Sequence, residues 1–242
     1  MTRIGMIGGF GPESTLEYYR LLIDGYRVRK NSIDTPEILL YSMSVQKLFA
    51  LVDTKKWQEL TDWLLEGIAV LHKGGADIGF ISANTPHVVF SRLQAASPIP
   101  LISIVDAACE HLKACGIKRA GLMGTSFTMQ NDFYQQRCAP DQMMLVLPSG
   151  AEQDYIQDKL MTEIEQGIFL DETRAGLLKV IKNMIDENGV EGVILGCTEL
   201  PLILPQTSQF GIPLFNTTQI HVDKILDTLL VLERKTASLL SK

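Results

Sequence analysis

The 242-residue chain lacks the marks of several large protein classes. It has no run of about 18 consecutive apolar residues, which removes a membrane span. Its formal net charge is −6, and no clustered basic excess is present, which removes a nucleic-acid surface because phosphate neutralisation requires one. Anionic partners must then be small and locally bound. The four histidines (His72, His87, His111, His221) are scattered, and Cys109, Cys115, Cys138 and Cys197 show neither metal nor redox spacing. No metal is expected, and the thiols are expected to be reduced in a cytoplasmic protein. The opening "MTRIGMIGGFGPE" has no charged stretch, apolar run and small-residue cleavage site, so no signal peptide is expected. There is no P-loop. "GGFGPEST" gives G-x-G-x-x-S where the dinucleotide fingerprint requires a third glycine, and "YSMSVQ" offers no ribose-binding acid.

What is present is a globular composition, 46% hydrophobic and 21% charged, in a chain long enough for one large domain or two of about 120 residues. Short apolar and β-branched runs at 3–9, 36–43, 77–83, 100–104, 119–124, 143–148, 192–197 and 212–217 alternate with helical patterns such as 57–75 and 174–189. Strand and helix in steady alternation predict an α/β fold with parallel sheets and helices on both faces.

Two stretches match. "GADIGFISANTPH" (75–87) and "GVEGVILGCTELP" (189–201) align at an offset of 114, which pairs Gly75 with Gly189, Asp77 with Glu191, Ala83 with Cys197, Asn84 with Thr198 and Thr85 with Glu199. The same offset lays helix 60–75 over helix 174–189. At 113, "IPLISIVDAACEHL" falls over "IPLFNTTQIHVDKIL", and at 116 "IGMIGGFGP" falls over "AGLMGTSFT". The pattern predicts a duplication giving two similar α/β halves, too long in period for a solenoid.

In parallel α/β sheets, ligands bind beyond the carboxyl ends of the strands. That singles out the loops Gly8–Ser14, Ala83–His87, Gly124–Thr128 and Gly196–Glu199. Cys197 follows a strand at the expected start of a helix, where backbone N–H groups and the helix dipole stabilise a thiolate. This is the setting of a nucleophile or a proton-transferring base. Asn84, Thr85 and Ser82 are small donors and acceptors suited to a carboxylate or ammonium group, and are also ordinary turn formers. Thr125, Ser126 and Thr128 can cradle an anion, or cap a helix, or both. Gly9 permits close backbone approach to a small ligand, or simply a tight turn into a helix starting at Pro12. His87 and His221 are candidate proton-transfer assistants.

"MIGGFGPEST", "SANTPH", "GTSFTMQNDFY" and "GCTELPLILP" together resemble the landmarks of the aspartate/glutamate racemase family over nearly the whole chain. The resemblance implies two Rossmann-like domains related by pseudo-twofold symmetry, an active site in the cleft between them, a homodimer, and no pyridoxal phosphate or other cofactor. It returns the C-terminal helix to the first domain, dividing the chain into 1–98 plus 213–242 and 99–212. It implies two cysteines, one from each half, exchanging a proton with opposite faces of Cα. Cys197 matches the second, Thr198 and Glu199 its neighbours, and Asn84 and Thr85 the substrate-binding residues after the first; Gly9, Thr125 and Thr128, read from their own loops, complete the expected substrate-binding set.

Ala83 stands where the first cysteine belongs, and the internal repeat reaches that position independently. A methyl group carries no exchangeable proton, so a symmetric two-thiol mechanism is excluded. Several readings stay open. The first is an amino-acid racemase acting on aspartate, glutamate or a similar amino acid, in which Ser82, Thr85, His87 or water replaces the missing acid, or in which an alanine substitution has impaired the site. The second is a lyase resembling arylmalonate decarboxylase and using Cys197 alone. The third is an amino-acid-binding protein without catalysis. The partner is in each case a small amino acid or dicarboxylate, and Arg20, Lys47 and Arg174 are candidates for a side-chain carboxylate.

Overall fold

The computed structural model describes residues 2–240, the side chains at 236, 237, 239 and 240 excepted. It divides into two compact units, Met1–Ile104 with His221–Lys242 and Val105–Ile220. Both are α/β with parallel strand pairing.

The first unit runs β1 (Arg3–Gly8), α1 (Pro12–Lys30), β2 (Glu37–Ser42), α2 (Val45–Asp53), α3 (Trp57–Lys73), β3 (Ile78–Ile81), a 3-10 turn at Thr85–Val89, α4 (Phe90–Ala96) and β4 (Leu101–Ile102). Its sheet has the order β2-β1-β3-β4. Helix α3 buries Leu60, Leu64, Ile68 and Leu71, the three- and four-residue spacing of one helical face. Helix α1 buries Tyr18, Leu22 and Tyr26 at four-residue spacing. These three join Ile4, Met6, Phe80 and the C-terminal Val222, Ile225 and Leu226 in one core. Truncating a fully buried member such as Leu22 to alanine would cost about 2–5 kcal/mol.

The second unit runs α5 (Ile104–Ala114), β5 (Arg119–Met123), α6 (Ser126–Gln130), α7 (Phe133–Cys138), β6 (Met144–Val146), α8 (Gly150–Thr162), α9 (Asp171–Asn188), β7 (Gly192–Leu195), α10 (Leu200–Ile203), β8 (Ser208–Gln209), β9 (Ile212–Asn216) and the start of α11 (Thr217–Leu240). The order is β6-β5-β7-β9-β8, with only the short β8 antiparallel. Helix α9 presents Leu177, Val180, Ile181 and Met184 to the core.

The two sheets share a pairing register. Ile4 lies opposite Ile78 in the first and Ala120 opposite Gly192 in the second; Gly79 lies opposite Leu101 and Val193 opposite Leu214. These are the pairs that the offsets of 116, 114 and 113 map onto one another. Strands β3 and β7 are each four residues long and buried throughout, and each ends two residues before the matched positions Ala83 and Cys197.

The expectation of four separate thiols does not hold. Helices α5 and α7 bring Cys109 and Cys138, 29 residues apart in sequence, together as a disulfide. Close spacing cannot reveal such a pair, because it is made by packing between helices. Cys115, exposed, and Cys197, buried, are the free cysteines.

Candidate active site

In the second unit, β5 and β7 end side by side. The Gly196 N–H donates to Met123 O at 2.6 Å, and a Cβ on Gly196 would stand 2.9 Å from Leu122 Cδ1 and 3.0 Å from Met123 O. Glycine is what lets the chain pass here and turn, delivering Cys197 to the strand end. Cys197 is buried, and its thiol donates to Glu199 Oε2 at 3.1 Å. The Thr198 hydroxyl donates to the same oxygen at 2.9 Å. One carboxylate therefore collects two donors from its own loop.

This geometry corrects the expected thiolate. Burial pushes the Cys197 thiol well above its ordinary range, and the negative charges of Glu199 and Glu165 push it further; the Glu199 N–H aimed at the sulfur works in the opposite direction and is outweighed. Helix α10 is only four residues long, so its dipole offers little. At rest the sulfur holds its proton, and Glu199 is the group placed to take it.

Glu165 was not visible as a site residue in the sequence. It sits outside the strand-end loops, on a 3-10 turn at Ile164–Gln166. Its carboxyl is raised to about 7, by burial first and then by Glu199. No motif marks it, since only the fold brings Glu165 near Glu199.

Thr125 caps α6, accepting from the Thr128 N–H at 3.2 Å, and the two hydroxyls lie 3.2 Å apart. One O–H bond between them leaves the other hydroxyl proton to point elsewhere. The Ser126 N–H is already engaged by Gln157 Oε1 at 2.6 Å. The cap reading of this loop thus holds, with one hydroxyl proton left for an anion.

In the first unit, the loop after β3 carries Ala83 and Thr85 partly exposed and Asn84 buried. The Ser82 hydroxyl donates to Ile7 O at 3.1 Å, tying β3 to β1 rather than facing a ligand. Gly9 has φ +89°, and a Cβ there would lie 2.4 Å from Met43 O and 2.5 Å from Ser42 Oγ. Its N–H donates to Thr15 Oγ1 at 3.0 Å. The close approach that the missing Cβ of Gly9 permits is to the end of β2, as in the tight-turn reading.

The two candidate histidines are structural. His87 is buried, its Nδ1 donates to Ala83 O at 2.9 Å, and its Nε2 accepts from the Ile104 N–H at 3.3 Å. His221 is fully buried between Tyr18 and Phe80; its Nε2 donates to Ile102 O at 3.0 Å and its Nδ1 accepts from the Tyr18 hydroxyl at 2.8 Å. Burial, the largest cause in each case, lowers His87 to about 4 and His221 to about 3. Both rings are neutral at pH 7 with both nitrogens engaged, which leaves neither to shuttle protons.

Of the basic candidates, Arg20 pairs with Glu17 and Asp24 on the exposed side of α1. Arg174 Nη2 donates to Gln206 Oε1 at 3.3 Å. Lys47, in the first turn of α2 beyond the carboxyl end of β2, lies 4.8 Å from the Trp63 ring centroid. Among the described residues, no group of three or more His, Cys, Asp and Glu side chains could hold a metal ion, and no helix is long and apolar enough to cross a membrane.

Two α/β units with one strand-pairing register, and a cysteine on a strand-end loop of the second, define a duplicated thiol-bearing α/β protein. The chain belongs to the Asp/Glu/Hydantoin racemase family, whose model matches residues 7–225. It is 26% identical over 218 residues to the broad specificity amino-acid racemase RacX of Bacillus subtilis (strain 168), covering 89% of this chain and 92% of RacX. It is also 33% identical over 120 residues to an uncharacterized protein in the pnlA 3′ region of Pectobacterium carotovorum subsp. carotovorum, 48% of this chain and 76% of that one. Among solved structures, PH1733, an aspartate racemase homologue from Pyrococcus horikoshii OT3, matches with a TM-score of 0.81 and 31% identity over 94% of this chain and 99% of its own.

Proposed function

We propose that the chain is an amino-acid racemase that works without pyridoxal phosphate, with Cys197 exchanging the Cα proton on one face. The observation that carries this reading is the hydrogen bond from Cys197 to Glu199, on the strand-end loop of a chain matched by the racemase family over residues 7–225. The α-ammonium group of an arriving amino acid would favour the thiolate, and Glu199 would receive the thiol proton. The Cα–H bond then breaks with its electron pair left on carbon, delocalised into the carboxylate as an enediolate, and the proton goes to sulfur. The one hydroxyl proton that the Thr125–Thr128 pair leaves free would be donated to the carboxylate oxygens on which that charge develops. Thr198, whose proton goes to Glu199, orients the carboxylate instead. Asn84 and Thr85 are the matched set in the first unit.

Ala83 makes the exchange uneven. With no thiol there, the second face relies on water or another donor, and losing a positioned acid slows that half-reaction about 10²- to 10⁴-fold. The similarity to RacX favours a broad set of amino acids, with aspartate and glutamate as the first to try. The test is proton NMR of both enantiomers of each in D₂O, following the Cα–H signal, with chiral analysis of the same samples. Loss of signal with inversion supports a racemase, and loss without inversion a one-sided exchanger. No exchange with any amino acid overturns the reading.

Ala83 itself favours a second reading, a lyase in which Cys197 alone protonates one face of an enediolate after carbon dioxide leaves a prochiral diacid. It requires Cys197, decarboxylates a substituted malonate and exchanges no amino acid.

A further inference from the structure

Among the described residues of the second unit, the Thr218 hydroxyl is buried, 1% exposed, with no hydrogen-bond partner. A buried hydroxyl left unmatched is costly and uncommon, and calls for a reason. Its neighbours already perform the structural tasks open to it. The Thr217 hydroxyl donates to Leu195 O at 2.8 Å, fastening the start of α11 to β7. Asn216 Oδ1 accepts from the Gln219 N–H at 3.0 Å, capping the helix. Thr218 is left with a donor and nothing in the fold to give it to.

Its place in the sheet suggests the recipient. Strands β7 and β9 are parallel neighbours with Leu195 opposite Asn216. Cys197 and Thr218 each stand two residues beyond that pair, at the same carboxyl end. Thr218 also lies in the first turn of a 24-residue helix, the end that favours an anionic oxygen. Meanwhile, two donors expected to serve a carboxylate are engaged elsewhere, the Thr198 hydroxyl by Glu199 and the Ser126 N–H by Gln157.

We propose that Thr218 is a substrate-binding residue whose hydroxyl donates to the carboxylate of the ligand that meets Cys197. The identity of that ligand as an amino acid rests on the racemase reading. The hydroxyl contact adds a donor outside the four strand-end loops that the parallel topology singles out.

The test compares wild type with Thr218→Val, which keeps the shape and removes the hydroxyl, and Thr218→Ser, which keeps the hydroxyl. Calorimetric titration with D- and L-aspartate, D- and L-glutamate and malonate reads carboxylate binding; Cα exchange in D₂O is read separately. A hydrogen bond to a charged oxygen sets the expected loss at roughly 10- to 100-fold in affinity for Thr218→Val, with Thr218→Ser near wild type. The ligand-free valine variant should melt no lower than wild type, since no internal bond is lost. Equal affinity in the valine variant overturns the inference while leaving the racemase reading in place. Absent exchange, with carboxylate binding that still weakens in the valine variant, overturns the racemase reading and keeps the Thr218 contact. No binding of any of the five acids, or a ligand-free valine variant that melts several degrees lower, overturns the role of Thr218.

Discussion

The Cys197 thiol donates to Glu199 Oε2 across 3.1 Å, so this buried sulfur rests as a thiol held by a carboxylate. This relationship has a measurable sign. Glu199→Gln removes the negative charge that raises the thiol and supplies an amide N–H that can donate to a thiolate, so the Cys197 pKa should fall. In a Cys115→Ser background, which removes the exposed free thiol, thiolate absorbance against pH should show a titration shifted downward from wild type. Amino-acid exchange should nevertheless fall about 10²- to 10⁴-fold, because the acceptor of the proton is gone. An unchanged titration would mean that Glu199 does not control the sulfur.

Ala83→Cys should restore a proton carrier at the position matched to Cys197. Inversion of a substrate amino acid should rise by about 10²-fold or more relative to one-sided exchange, the range a positioned acid contributes. Chiral chromatography of timed samples checks it, and the gain should vanish in Ala83→Cys/Cys197→Ser. Cys197→Ser alone should reduce exchange to near background.

Burial of His87 and His221 makes stability depend on pH. Their folded values, about 4 and about 3, lie below the unfolded value near 6.5. The unfolded chain therefore binds more protons between these limits. The stabilising contribution is complete above about pH 6.5 and is lost as pH falls toward 4 and then 3, at about 1.4 kcal/mol per pH unit for each group in its window. Urea midpoints measured from pH 8 to 4 should be level and then decline. Tyr18→Phe, which takes the hydroxyl from His221 Nδ1, should cost about 1–3 kcal/mol at pH 7.

The Cys109–Cys138 bond predicts that unfolded, unreduced protein titrates two thiols per chain, those of Cys115 and Cys197. Reduction, or a Cys109→Ala/Cys138→Ala variant, should lower stability by about 3–4 kcal/mol for a loop of this length. Four thiols without reductant would return the pair to the separate state expected from spacing.

The sheet was largely legible because its signal is local: each apolar run between turn residues became a strand, and β3 and β7 lie inside 77–83 and 192–197. Only the two-residue β8, too short to show a pattern, escaped. The strand-end loops were legible because parallel topology fixes which end of each strand carries chemistry. Donor direction was not. Gly9 stands in an expected loop and Ser82 immediately precedes another, but they give their hydrogen bonds to Thr15 Oγ1 and Ile7 O. The protonation of Cys197 was misread for a related reason: helix-start position is visible in sequence, whereas burial and the proximity of Glu165 are consequences of packing.

The shared register of the two sheets carries a further consequence. Because Ile4 with Ile78 and Ala120 with Gly192 fix equivalent frames, the backbone assigns an address to positions 83 and 197 whatever side chain is written there. An inserted or deleted residue within either strand would exchange the two faces that it presents, so these strands are free to diverge by substitution and not in length, and the shifts of offset from 116 to 114 to 113 fall in the segments between matched elements. The difference between a thiol and a methyl group at matched addresses is an edit to the contents of a frame that both halves still keep.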